Sequence, residues 1–144
     1  MKQDVSMKLV SSQSDGDNKE STELLSRAIY EKTNNGYKLT YDESEATGYE
    51  GATTTIELFD GKKVVMSRSG SVTSNLIVEL GRKHHCVYGT PYGDLMVGVN
   101  ANYIRSDLDD NGGKLDFKYV IDVNSSYIGD FDISIEVKQR GRKK

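Results

Sequence analysis

The chain has 144 residues and a formal net charge of −3, a size typical of one domain with its own core. Its single cysteine excludes an internal disulfide framework. The sequence has no apolar run of about 18 residues, the length that a membrane helix requires. The N-terminal residues lack an apolar signal region, so we expect a cytoplasmic, reducing compartment and no membrane association.

Basic residues are concentrated at the C-terminus. Residues 138–144 hold five of the 19 lysines and arginines and no acid, which leaves residues 1–137 with 14 basic and 22 acidic residues. We expect residues 1–137 to form the domain. Residues 138–144 should be a disordered tail, because their like charges repel one another. The acidic body argues against nucleic acid as the main ligand, although the tail could bind it weakly.

The first strands are predicted from apolar residues that alternate with polar ones. Residues 5–9 alternate with the period of a strand, and the polar segment Ser11–Ser21 is predicted to be a loop. The apolar residues of Thr22–Lys32 fit either a helical face or a strand. We favour a strand, because the neighbouring segments are strands.

Turn residues divide the middle of the chain into hairpins. Asn34-Asn35-Gly36 and Asp60-Gly61 are typical of short turns with positive φ. A change of phase after Val99 predicts a β-bulge near Asn100–Asn102. The residues predicted to face inward along these strands are Tyr37, Leu39, Tyr41, Thr54, Ile56, Leu58, Val64, Met66, Leu76, Val78, Leu80, His84, Cys86, Tyr88, Leu95, Val97 and Val99.

The clearest alternation lies in Lys114–Val137, where two strands with one apolar face each flank the turn residues near Asn124. In total, the pattern predicts about nine or ten strands joined mostly by short turns. A closed antiparallel barrel accommodates them better than an open sheet with two exposed edges. The predicted fold class is therefore an all-β, single up-and-down antiparallel β-barrel.

Two short motifs suggest a metal site, and each has a simpler explanation. Asp107–Gly112 matches the first half of an EF-hand loop, but the twelfth position is Lys118 and the flanks are strands, so a hairpin turn accounts for it. His84 and His85 would point to opposite faces of a strand and could not share an ion. We interpret His84, beside Cys86, as a partly buried structural histidine. We predict no metal, no cofactor and no catalytic residue.

Arg68 is the most informative charged residue, because it continues the inner face of Val64 and Met66. A charge on such a face needs a partner or a water-filled cavity. Arg68 and nearby tyrosines could bind the anionic head of an amphipathic ligand at one end of the barrel. Alternatively, Arg68 plugs the barrel within a structural hydrogen-bond network. The candidate ligand-binding residues are Arg68, His84, Tyr88, Thr90 and Tyr92.

Several short motifs resemble the YwiB-like family of bacterial proteins, a domain of unknown function. They are Arg68-Ser69-Gly70, the run Tyr88-Gly89-Thr90-Pro91-Tyr92-Gly93, Leu95 with Gly98, and the acidic turn at 107–112. The resemblance covers roughly residues 5–137. It implies a calycin-like, lipocalin-type β-barrel, and it brings no known substrate, cofactor or catalytic residue. The Ser11–Ser21 segment and the basic tail are not among the motifs that carry the resemblance.

The leading functional hypothesis is non-enzymatic binding of a small amphipathic or anionic ligand in the barrel lumen. The alternative is a protein-interaction or accessory module whose barrel is filled. The volume of the lumen distinguishes the two, because a barrel filled by its own side chains has no room for a ligand.

Overall fold

The computed structural model describes residues 2–43, 51–70, 73–90 and 93–139, with the backbone alone for residues 89 and 90. Within these ranges the chain forms ten strands and no helix. These residues therefore contain no helix that is long and apolar enough to cross a membrane. The strands are β1 (Lys2–Ser14), β2 (Lys19–Lys32), β3 (Gly36–Asp42), β4 (Ala52–Phe59), β5 (Lys63–Gly70), β6 (Ser74–Glu79), β7 (His84–Thr90), β8 (Gly93–Ser106), β9 (Gly112–Val123) and β10 (Ser126–Gln139).

Each strand lies antiparallel to its neighbours in sequence, and β1 also pairs with β10 from Val5↔Gln139 to Ser14↔Asp130. The sheet is therefore a closed up-and-down barrel, as the alternation predicted. Thr22–Lys32 is a strand, which confirms the choice made between strand and helix. Closure leaves the barrel without a free outer edge.

The predicted turn and bulge are also present. Asp60 and Gly61 have φ values of 54° and 68°, and the Lys62 N–H donates to the Phe59 carbonyl over 3.0 Å. Two successive positive φ values match the right-handed twist of the flanking strands. The register of β8 against β9 shifts between Ala101 and Tyr103, at the position predicted for the bulge.

One end of the lumen is filled by side chains. We call it the filled end; it carries the connections 33–35, 60–62, 80–83 and 107–111. Tyr30 and Phe117 are fully buried there, and Tyr30 stacks on Tyr37 with ring centroids 5.2 Å apart. The Tyr30 hydroxyl donates to the Asp109 carbonyl over 2.7 Å, which holds the acidic turn against this end.

The prediction of a loop over Ser11–Ser21 was wrong. β1 continues to Ser14 and β2 begins at Lys19, so only residues 15–18 connect them. Ser11 pairs with Thr22 and continues the inward face of Leu9. These inward residues are polar because they line a cavity, and a polar lining hides the apolar alternation by which strands are recognised.

Two predicted inward residues are exposed instead. Leu80 is 40% exposed because β6 ends at Glu79 and Leu80 lies in the following turn. Leu95 is 49% exposed near the beginning of β8, where the barrel wall ends.

The last strand continues beyond the predicted domain boundary at residue 137. Lys138 pairs with Ser6, and Gln139 pairs with Val5. Residues 140–144, which make up most of the predicted tail, lie outside the described residues.

Candidate functional site

A cavity of about 240 Å³ occupies the lumen opposite the filled end. We call this half of the barrel the cavity end. It receives the last residues of the odd-numbered strands and the first residues of the even-numbered ones. Inward side chains of the cavity lining are Ser11, Gln13, Thr22, Thr54, Met66, Arg68, Ser74, Leu76, Tyr88, Tyr119, Ile121, Phe131 and Ile133.

Arg68 contributes to the polar wall of this cavity and forms an ion pair with the buried Glu43. The Arg68 Nη2 lies 3.2 Å from the Glu43 Oε2, and the Arg68 Nε donates to the Thr54 Oγ1 over 3.2 Å. The Thr54 hydroxyl in turn donates to the same Glu43 oxygen. The register explains the arrangement, because Thr54 pairs with Arg68 across β4 and β5, and Glu43 directly follows β3, which pairs with β4.

The charges of this pair are strongly shielded from solvent. The side chains of Glu43 and Arg68 are 2% and 19% exposed. Placing two charges here costs desolvation energy that their mutual attraction and hydrogen bonds offset, so loss of Arg68 leaves the Glu43 carboxylate without the cation that offsets this cost. The Arg68 guanidinium offers hydrogen-bond donors to the cavity, and the buried Glu43 carboxylate lies beside it.

Tyr41 adds a neutral phenol beside the pair. Burial, followed by the nearby Glu43 carboxylate, raises the pKa of Tyr41 well above its ordinary value of 10.0. Both effects penalise the phenolate. Tyr41 therefore stays protonated over the whole physiological range.

The opposite wall of the cavity is apolar and aromatic. Tyr119 and Phe131 stack with ring centroids 5.3 Å apart and an interplanar angle of 10°. Met66 and Leu76, on β5 and β6 beside Arg68, add further apolar side chains to the lining. The cavity is thus amphipathic, with a charged pair on one side and stacked rings on the other.

The five predicted ligand-binding residues separate in space. Arg68 and Tyr88 line the cavity together. His84 begins β7, towards the filled end, where its Nε2 lies 2.7 Å from the Glu79 Oε1. Thr90 ends β7, and nothing is described of its side chain; Tyr92 lies outside the described residues.

The carboxylates of the acidic turn between β8 and β9 bond within the turn and to the adjacent strands. Asp109 accepts the Asn111 N–H over 2.8 Å, and Asp107 accepts the Lys114 N–H of β9 over 2.6 Å. Asp110 accepts the Tyr37 hydroxyl of β3 over 2.9 Å. Across the described parts of the chain, no three His, Cys, Asp or Glu side chains are grouped as a metal site requires. These contacts fit the interpretation of a structural hairpin turn.

Glu43 is the main site residue that the sequence analysis missed. It continues the inward alternation of Leu39 and Tyr41, just as Arg68 continues that of Val64 and Met66. Glu43 and Arg68 thus carry opposite charges, and each follows the inward apolar residues of its own strand. This pattern could have predicted that they form a pair.

Comparison with known proteins identifies the family. The family described as "Domain of unknown function (DUF1934)" matches residues 7–135. No curated protein matches the chain. The crystal structure of the ywiB protein from Bacillus subtilis is similar, with a TM-score of 0.83 and 22% sequence identity over 97% of this chain and 94% of that chain. At this identity the likeness shows a shared fold. Because the family match spans nearly the whole barrel, the chain belongs to this family of unknown function, and it shares the YwiB fold, as its motifs predicted.

Proposed function

We propose that the barrel binds a small amphipathic molecule at its cavity end and does not alter it chemically. The observation that carries this proposal is a single cavity lined both by Arg68, which pairs with the buried Glu43, and by the Tyr119–Phe131 stack. Ligand sites in proteins are mainly apolar, with a few polar groups that fix the orientation of the ligand.

The size of the cavity favours a compact ligand. A volume of about 240 Å³ lies below the usual range of pockets for drug-sized molecules. A dry cavity of roughly 150 Å³ accommodates benzene. The cavity therefore suits one ring and a short polar head. The alternative, a protein-interaction module with a filled barrel, requires side chains to fill the whole lumen. Among the described residues they fill only the filled end, which argues for the ligand-binding proposal.

The ion pair favours a head group without net charge. Arg68 alone would favour an anion, but Glu43 offsets that preference from the same wall. An uncharged or zwitterionic head can accept hydrogen bonds from Arg68 without bringing a net negative charge close to the Glu43 carboxylate. We therefore expect benzyl alcohol and phenylalanine to bind more tightly than phenylacetate or 2-phenylethylammonium.

Two adjacent serines of β1 allow a matched test of the binding position. Ser11 lines the cavity, whereas the Ser12 hydroxyl bonds with the Ser21 hydroxyl over 2.9 Å in an exposed position. Ser11→Phe should fill the cavity and reduce probe affinity at least about tenfold, a cost of about 1.4 kcal/mol in binding. Ser12→Phe should leave the affinity unchanged. Calorimetric titration measures both, and equal affinities in the two variants would refute a site in the lumen.

Glu43→Gln tests the role of charge in the same assay. This variant keeps a polar side chain and removes one negative charge from beside Arg68. Its preference should shift towards phenylacetate, by about tenfold relative to 2-phenylethylammonium. An unchanged order of the four probes would show that the ion pair does not contact the head group.

A further inference from the structure

The ladder between β6 and β7 is interrupted. Within the described residues these two strands share one backbone pair, Asn75↔Val87, besides the bridge Glu79↔Arg82 in the connecting turn. On either side the ladders are continuous: β5 and β6 pair from Lys63↔Glu79 to Arg68↔Ser74, and β7 and β8 pair from His84↔Val99 to Thr90↔Gly93. We call the boundary between β6 and β7 the seam.

Side chains replace part of the missing backbone ladder. The Ile77 N–H donates to the Cys86 Sγ over 3.3 Å, so a sulfur takes the place of a backbone carbonyl. The His84 ring nitrogen lies 2.7 Å from the Glu79 carboxylate and links the end of β6 to the beginning of β7. Sulfur is a weak hydrogen-bond acceptor, and the links of Glu79 and His84 are partly exposed. This wall is held less firmly than its neighbours.

The seam also forms part of the cavity wall. Ser74 and Leu76 of β6 and Tyr88 of β7 line the cavity from its two sides. On the outer surface beside it, Val87 and the opposing Met96 are 39% and 58% exposed. An amphipathic molecule would thus meet an apolar surface directly outside the weakest wall of the cavity.

We propose that the seam is a lateral gate, which opens while the other ladders persist and admits the small amphipathic ligand to the cavity. The proposal rests on the proposed function, since a gate requires a ligand. Segments with few backbone hydrogen bonds open locally without unfolding of the whole domain. The link between His84 and Glu79 acts as the latch of this gate.

Cys86 reports on opening without any ligand. It is the one cysteine of the chain, it is buried, and burial raises the pKa of its thiol. Labelling of Cys86 by a small maleimide should be slow. At urea concentrations below those of global unfolding, the labelling rate should not depend on the urea concentration, because local opening exposes little surface. His84→Ala and Glu79→Gln should each accelerate labelling about tenfold, whereas Lys8→Ala, which removes an exposed ion pair on β1, should not.

Exchange of a bound probe tests passage through the seam. With benzyl alcohol as the probe, NMR line shapes give its association and dissociation rates. If the seam is the gate, both rates should rise by the same factor in His84→Ala, and the dissociation constant should stay constant.

The outcomes separate the gate from the binding site. Labelling whose urea dependence equals that of global unfolding would overturn the gate and leave the site intact. Accelerated labelling with unchanged probe exchange would also overturn it, because the ligand would then enter elsewhere. Failure of all four probes to bind would refute the proposed function and the gate with it, although Cys86 labelling would still measure how often the seam opens.

Discussion

Removal of Arg68 should destabilise the barrel far more than removal of an exposed lysine with the same ion-pair distance. In Arg68→Ala the Glu43 carboxylate, 2% exposed, loses its cation inside the lumen. Breaking a buried pair in this way costs about 3–5 kcal/mol. The cavity admits water on one side, so we expect a value near the lower limit. For a domain of this size, the melting temperature should fall by about 10 °C.

The chain offers a matched control for this experiment. Lys8 and Glu23 also lie 3.2 Å apart, but their side chains are 49% and 53% exposed. Exposed pairs contribute about 0–1 kcal/mol, so Lys8→Ala should change stability little. The comparison isolates burial, because the distance between the charged atoms is the same in both pairs.

A double-mutant cycle completes the argument. Glu43→Leu alone should cost about 2–3 kcal/mol, less than Arg68→Ala because the remaining guanidinium is more exposed. Arg68→Ala combined with Glu43→Leu should cost clearly less than the sum of the two single variants, since both partners of the described ion pair are then removed. Urea denaturation gives each free energy of unfolding. A cost of less than about 1 kcal/mol for Arg68→Ala, or additive costs in the double variant, would refute the reasoning.

The other predictions concern close packing, pH and the chain end. A Cβ at Gly36 would lie 2.0 Å from the backbone oxygen of Leu58, whereas a Cβ at Gly98 would lie 2.5 Å from the movable Lys83 Cε. In urea denaturation, Gly36→Ala should therefore destabilise the protein by about 3 kcal/mol, and Gly98→Ala by clearly less. Burial raises the pKa values of Tyr30 and Tyr41 from 10.0, so this contribution to stability is complete below about pH 10 and is lost as pH rises further. Phenolate absorbance measures tyrosine ionisation clearly here, because the chain lacks tryptophan. It should show that Tyr30 and Tyr41 ionise only when the protein unfolds. If all nine tyrosines of the folded protein ionised near pH 10, this expectation would be contradicted. Truncation after Gln139 should leave the melting temperature unchanged. Truncation after Val137 removes the backbone pairs of Lys138 and Gln139 with β1 and should lower the free energy of unfolding by about 1 kcal/mol. Equal melting temperatures of the two truncated proteins would show that these pairs contribute nothing.

The sequence predicted the barrel well wherever its inner face is apolar. From Leu115 to Ile121 every second residue is buried, and the same alternation placed Arg68 inside. It failed at Ser11 and Gln13, because residues that line a polar cavity do not alternate in hydrophobicity.

The partners within the site were harder to predict. Glu43 and Arg68 lie on different strands, and their meeting depends on the register across β4, which a pattern within one strand does not contain. The seam was equally hidden. Its strands alternate normally, and only the backbone pairing shows the interruption between Ile77 and Cys86.

Three methionines provide the most direct test of the central claim, that a small amphipathic ligand binds at the cavity end. Met66 lines the cavity, Met7 is 2% exposed in the core away from the cavity lining, and Met96 is 58% exposed on the outer surface. In a ¹³C-methyl NMR titration with benzyl alcohol, the Met66 signal should shift in a saturable manner, while the Met7 and Met96 signals stay nearly constant. A saturable shift of Met96 alone, or no saturable shift of Met66, would contradict the claim.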